Sequence, residues 1–176
     1  MIASGDDPVA HTSGVGRLGT PWSGVLDTEP GFASEVQRRF ESHPHHVIAT
    51  LHVDGRPRVS GTNVGFDDHM MWIGTMPGSR KGADLMRDPR CALHSAPLDE
   101  DLSAGSGDAT VDAVAVRLDD TTARRLLTEE FGADATMDGE LWSLSIRSMS
   151  LVEVQGEQLR VRSWAPHSGL TEVLRD

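Results

Sequence analysis

Phe32, Val36 and Phe40 fall four apart, which marks one face of a helix over 31–42 that Pro44 ends. The pattern then changes to short β-branched runs. Residues 46–53 (HVIATLHV) read as a strand, Asp54-Gly55 as a hairpin turn, and 57–66 (PRVSGTNVGF) as the partner strand. Asp67-Asp68 turns again into 70–75 (MMWIGT), so three antiparallel strands form a meander. Ser79 is the expected N-cap of a short helix over 79–87, which Asp88-Pro89 stops. Residues 90–96 make a fourth strand, 97–108 (PLDEDLSAGSGD) a mobile polar loop, and 109–118 a fifth strand. A helix over 120–131 turns Ala123, Leu126, Leu127 and Phe131 inward. Residues 141–154 alternate through Trp142, Leu144 and Ile146 and then slip phase to Met149 and Leu151, which places a bulge near Arg147-Ser148. Gln155-Gly156 turns into a last strand over 158–164. Residues 1–30 show no apolar period and read as a flexible leader, with Trp22 and Val25-Leu26 available to pack elsewhere. That makes 31–176 a single domain. About seven strands and two to four short helices imply a mainly β, closed antiparallel barrel.

Composition narrows the function. With Lys+Arg 16 and Asp+Glu 27 the net charge is −11 over 176 residues, and no basic stripe exists for a nucleic-acid backbone or an anionic membrane surface. No run approaches the roughly 18 apolar residues of a membrane span. Residues 1–20 lack the marks of a secretory signal, and one cysteine, Cys91, allows no intrachain disulfide. A cytoplasmic setting is expected. Fifteen of the basic residues are arginine and one is lysine, and tyrosine is absent, a bias that suits a GC-rich coding background. Lys81 is then a candidate position where an ammonium serves better than a guanidinium.

Ser79, Arg80 and Lys81 stand at a predicted helix start. Free N–H groups and the positive end of the helix dipole lie there, so two cations and a hydroxyl make it a candidate phosphate site. Arg58, one hairpin earlier, is placed to complete it. The ordinary alternative is a solvated basic helix end.

The hairpin ATLHVDGRPRVS, the strand MMWIGT and the run SRKGADLMRDPRCALHS, in this order, resemble the pyridoxamine 5′-phosphate oxidase-like, FMN-binding split-barrel superfamily. The resemblance is strongest over 46–96 and continues through GDATVDAVAVRL and VRSWAPHSGL. It implies an antiparallel split β-barrel of Greek-key type and a homodimer with a cofactor at the subunit interface. Arg58, Ser79, Arg80 and Lys81 would hold the cofactor's phosphate. Val59, Ser60, Gly61 and Thr62 would run beneath the isoalloxazine ring. Ile73, Gly74 and Thr75 would line the ribityl chain and ring edge. Trp142 and Trp164 lie on late strands that in the family cross toward the other subunit's cofactor, although buried aromatics are ordinarily core. His94 is a candidate proton donor, with a satisfied strand histidine as the plain alternative.

The expected function is hydride transfer between FMN and a small organic substrate. The same barrel with deazaflavin coenzyme F(420) is the alternative, and a non-catalytic flavin or haem binder is the alternative of another class. The family's arginine-rich substrate segment is not matched by Arg160, Arg162 and Trp164, so pyridoxal phosphate synthesis is not expected. The remaining members are mostly small reductases, many of them actinobacterial, as the composition suits, and a few bind haem or other tetrapyrroles. His43, His45 and His46 read as a polar turn, because no carboxylate or cysteine completes a ligand set, and no metal site is expected.

Overall fold

The computed structural model describes residues 19–96, 107–134 and 139–176. Helix α1 (Trp22–Thr28) and helix α2 (Pro30–Glu41) come first. Pro30 occupies the first turn of α2, where its missing N–H costs nothing. Strands β1 (His46–Leu51), β2 (Pro57–Thr62), β3 (Val64–Phe66) and β4 (Met71–Thr75) follow, then helix α3 (Arg80–Arg87) and β5 (Arg90–His94). The chain ends with β6 (Gly107–Arg117), helix α4 (Asp120–Phe131), β7 (Glu140–Gln155), β8 (Gln158–Ala165) and β9 (Gly169–Arg175). Among the described residues no helix is long and apolar enough to cross a membrane.

All nine strands belong to one antiparallel sheet, ordered β2-β1-β5-β6-β7-β4-β3, with β8 on β7 and β9 on β8. β2 and β3 are the two ends of that path, yet Asn63 alone separates them in the chain. The sheet therefore curls until its edges stand one residue apart, but no ladder joins them. The barrel is split, not closed as the strand pattern suggests. The expected strand 57–66 is two strands for the same reason: 57–62 pairs with β1 and 64–66 with β4.

β7 changes partner along its length. Residues 140–143 pair with β4 and 149–155 with β8. Between them Asp112 faces Ser148 and Ala113 faces Ile146, so Arg147 is the extra residue of a bulge, where the phase slip places it. Thr20 exchanges two backbone hydrogen bonds of 2.8 Å with Ile146 and covers the gap between β4 and β8.

That bridge corrects the extent of the leader. From Thr20 onward the expected flexible segment is built into the fold, and Trp22 and Val25 are fully buried against the sheet; residues 1–18 lie outside the described residues. The main core joins Trp22, Phe32, Val36 and Phe40 to Ile48, Leu93, Val111, Leu144, Ile146 and Met149. A smaller core packs Leu126 and Leu127 of α4 on Trp72 and Leu141. Phe131 is 64 % exposed and not inward; it is the last residue of the helix, which Gly132 ends. Trp72 lies so close over β3 that a Cβ at Gly65 would fall 2.2 Å from its ring, which only glycine avoids. The 97–108 loop gives its last two residues to β6, and 97–106 lie outside the described residues. A ninth strand, 169–175, follows the one expected to be last. Its exposed Val173 and Leu174 on alternate faces hid the period.

Candidate functional site

Ser79 caps α3 as expected, its Oγ accepting from the Gly82 N–H at 3.1 Å. The N–H groups of Arg80 and Lys81 have no acceptor among the described residues. Arg80 is exposed and makes no ion pair with a described residue. Lys81 Nζ donates to the Gly61 carbonyl at 3.0 Å and likewise meets no described carboxylate. Burial lowers the Lys81 pKa from its ordinary value of 10.5, so an added anion would be welcome there.

α3 lies against β1 and β2, and register decides what β2 offers it. Arg58, Ser60 and Thr62 pair with Thr50, Ile48 and His46, all buried, so these three face inward; Val59 and Gly61 face outward. Arg58 Nε donates to Asp84 Oδ2 at 2.6 Å. Its two terminal amino groups meet no described partner. Ser60 Oγ is buried and also lacks a partner. A Cβ at Gly61 would meet nothing within 4 Å. Glycine inside a strand costs roughly 0.5–1 kcal/mol against alanine, and no described atom of this chain requires it at 61. Thus Arg58, Ser60, Gly61, Ser79, Arg80 and Lys81 are brought to one corner.

Thr75 adjoins that corner. Its Oγ1 accepts from Trp142 Nε1 at 3.2 Å, and a Cβ at Gly82 would lie 3.1–3.2 Å from Ser79 Oγ, Glu140 Oε2 and Thr75 Oγ1. Glu140 also faces Arg117 at 3.5 Å. The Ile73, Trp142 and Trp164 side chains lie in the core. Trp164, on β8, is five strands from β2 along the sheet and does not reach the corner.

His94 occupies a different place. Gly61 pairs with Val47 and Val47 with His94, so the three share the outer face, with about 10 Å between Gly61 and His94 at the usual strand spacing. Its ring bonds the Ser95 carbonyl at 2.7 Å through Nδ1, so Nδ1 carries the proton there; Nε2 faces Asp108 at 3.8 Å. The same row continues through Thr110, Ser150, Ser163 and Thr171. These hydroxyls line an open cleft of about 360 Å³ with Ala92, Asp112 and Trp164.

His46 is buried edge-on to Phe40, and His45 bonds Asn63 at 3.0 Å. Among the described residues no group of three His, Cys, Asp or Glu side chains is placed to hold a metal. Burial, with some help from Asp112, pushes the Cys91 thiol up to about 12, so it is inert.

A sequence profile of pyridoxamine 5′-phosphate oxidase matches residues 32–162. The chain belongs to this family. No curated protein matches it significantly. Among solved structures, this family member is similar to PhzG from Burkholderia lata 383, crystallised with tetrahydrophenazine-1-carboxylic acid: TM-score 0.61, 12% identity, 92% of this chain and 95% of that one. It is also similar to a heme binding protein from Mycobacterium smegmatis, with TM-score 0.53, 16% identity, and 81% and 87% of the two chains. Campylobacter jejuni ChuZ gives TM-score 0.62 and 14% identity over 82% of this chain, which spans 63% of that one. At such identities these likenesses show the split-barrel fold alone.

Asp84 and Glu140 escaped the sequence reading. Asp84 had a signal: it lies between Gly82 and Leu85 on the inward phase of a short amphipathic helix, where a carboxylate needs a partner.

Proposed function

We propose that the protein is an FMN-dependent oxidoreductase that moves hydride between flavin and a small organic substrate, and that it works as a cytoplasmic homodimer. The observation that carries this reading is the cation pair Arg80 and Lys81 at the start of α3. Neither meets a described carboxylate, in a chain of net charge −11. The residues present fit a flavin phosphate: two unpaired helical N–H groups, three cations, an orphaned Ser60 hydroxyl and a glycine whose outer side is open.

When bound, flavin supplies the hydride chemistry. Arg58, Arg80, Lys81 and the first-turn N–H groups bind the phosphate. The strand Val59–Thr62 offers a flat backbone with no Cβ at Gly61. His94 donates its Nδ1 proton to the Ser95 carbonyl and turns Nε2 toward Asp108 on the outer face. A second protomer gives the outer face its cover: Val59 is 68% exposed and Val47 36%, both beside Gly61. That arrangement would place the cofactor between protomers.

Arg160 and Arg162 already face Glu172, Glu153 and Glu35, so they are poor candidates for a second, substrate phosphate. Deazaflavin F(420) also carries a phosphate on a ribityl-type chain, but its polyglutamate tail calls for extra cations, which a net charge of −11 disfavours. Separate titrations with FMN, F(420) and haem test the reading. Tight FMN binding, followed by reoxidation of reduced flavin by an organic acceptor, is expected. F(420) binding alone changes the cofactor. Haem binding alone, or no binding by the folded dimer, overturns the oxidoreductase.

A further inference from the structure

We infer that Asp84 is the positioning residue for Arg58, setting its guanidinium for the cofactor phosphate; the inference rests on the flavin reading above. Asp84 is 3% exposed. Burial pushes its carboxyl up, but hydrogen bonds from Arg58, Arg87 and Thr50 outweigh this and hold it below its ordinary value of 3.8. Oδ2 accepts from Arg58 Nε at 2.6 Å and from Thr50 Oγ1 at 3.0 Å, and Oδ1 accepts from Arg87 Nη2 at 3.1 Å. The donors come from β2, β1 and α3, and Arg87 also bonds the Leu51 carbonyl at the end of β1. The carboxylate is therefore fixed from three elements.

Arg58 sits on β2, an edge of the sheet, where its long side chain would otherwise sample many rotamers. Asp84 uses one N–H of the guanidinium and leaves the terminal fork for another acceptor. Asp84 lies three residues beyond Lys81 on α3, and Lys81 bonds Gly61, three residues beyond Arg58 on β2. The two contacts clip strand to helix and set both cations in one register. Ordering Arg58 before the ligand arrives reduces the ordering cost of binding.

Charge and position make opposite demands, which gives a clean test. If Asp84 acted only by its charge, Asp84→Asn would strengthen phosphate binding by removing a neighbouring anion. If it positions Arg58, the same change weakens it. FMN and riboflavin are titrated against the wild type, Asp84→Asn, Arg58→Ala and the double variant, with melting curves for each. Riboflavin lacks the phosphate, so a general loss of structure lowers both affinities and leaves their ratio unchanged. The FMN-to-riboflavin ratio should fall about tenfold in Asp84→Asn, as when one charge-assisted contact is misaligned. Adding Asp84→Asn to Arg58→Ala should lower it no further. A ratio unchanged or raised in folded Asp84→Asn, or a further fall in the double variant, overturns the inference. A fall in Arg58→Ala without one in Asp84→Asn removes Asp84 alone and keeps the phosphate site. No preference for FMN in the wild type removes the site and the inference together. Should Asp84→Asn not fold, Asp84→Glu, which keeps the charge and shifts it by one methylene, should show the same fall.

Discussion

The molecule carries two clusters of basic residues, and they are built to opposite plans. At the α2 end, Glu153 accepts from Arg39 at 3.2 Å and Arg162 at 2.7 Å, Glu35 faces Arg162, and Glu172 takes Arg160 at 2.7 Å. Arg162 is 6% exposed and also lies over the Phe32 ring. Each arginine there has its carboxylate, and the cluster ties α2 to β7, β8 and β9. At the α3 end, Arg80 and Lys81 meet no described carboxylate, and among the described residues Arg58 is held only at Nε. Arg162, nearly buried, must be neutralised to be tolerated, whereas the exposed Arg80 can leave its charge uncompensated because water, or a ligand, solvates it. Arginines at the first end serve the fold; cations at the second are available to an anion.

The largest test removes that availability. Arg80→Ala with Lys81→Ala should cost about 3–6 kcal/mol of FMN affinity at roughly 1.5–3 per charge-assisted contact, with the melting temperature little changed. Flavin fluorescence and thermal melts read both; unchanged affinity in folded protein would break the contrast. The mirror experiment is Glu153→Ala. It should lower stability by about 2 kcal/mol, less than for a fully buried pair because Glu35 still faces Arg162, and leave FMN affinity as it was.

Acid tests the carboxylate that each end depends on. Glu35 and Asp84 are both held below their ordinary values of 4.5 and 3.8, Glu35 chiefly by the hydrogen bond from Arg162. Each therefore contributes stability that is present above its ordinary value and lost as pH falls through the lower, folded one. Glu35→Gln and Asp84→Asn should each flatten the fall in stability below about pH 4.5, measured by chemical denaturation across pH. A slope unchanged in both would sink the assignment. The smallest effect belongs to Arg160→Gln. Its pair with Glu172 is exposed, so the melting temperature should scarcely move and FMN affinity not at all.

Local signals were read well where one residue decides a conformation. Ser79 caps α3 because its hydroxyl meets the Gly82 N–H, and the phase slip after Ile146 is the bulge at Arg147. The S-R-K run does open α3, and Arg58 lies beside that helix through Asp84. Val64–Phe66 looked continuous with β2, because period alone does not say which neighbour a strand pairs with. Trp22 looked like part of a leader, because seven residues carry too little period to reveal that Thr20 bridges β7. Asp84 looked like one more charge in an acidic chain.

The sequence by itself determined most of the elements, the Ser79 cap, the bulge, the acidic charge and the family, since these are written in short runs of the chain. Tertiary structure alone decided where the barrel splits, which side of β2 meets α3, and which arginines have carboxylates. Those depend on contacts such as Arg58 with Asp84 and Arg162 with Glu35, 26 and 127 residues apart. No local pattern encodes a pairing across such distances; only the curled sheet brings the partners together.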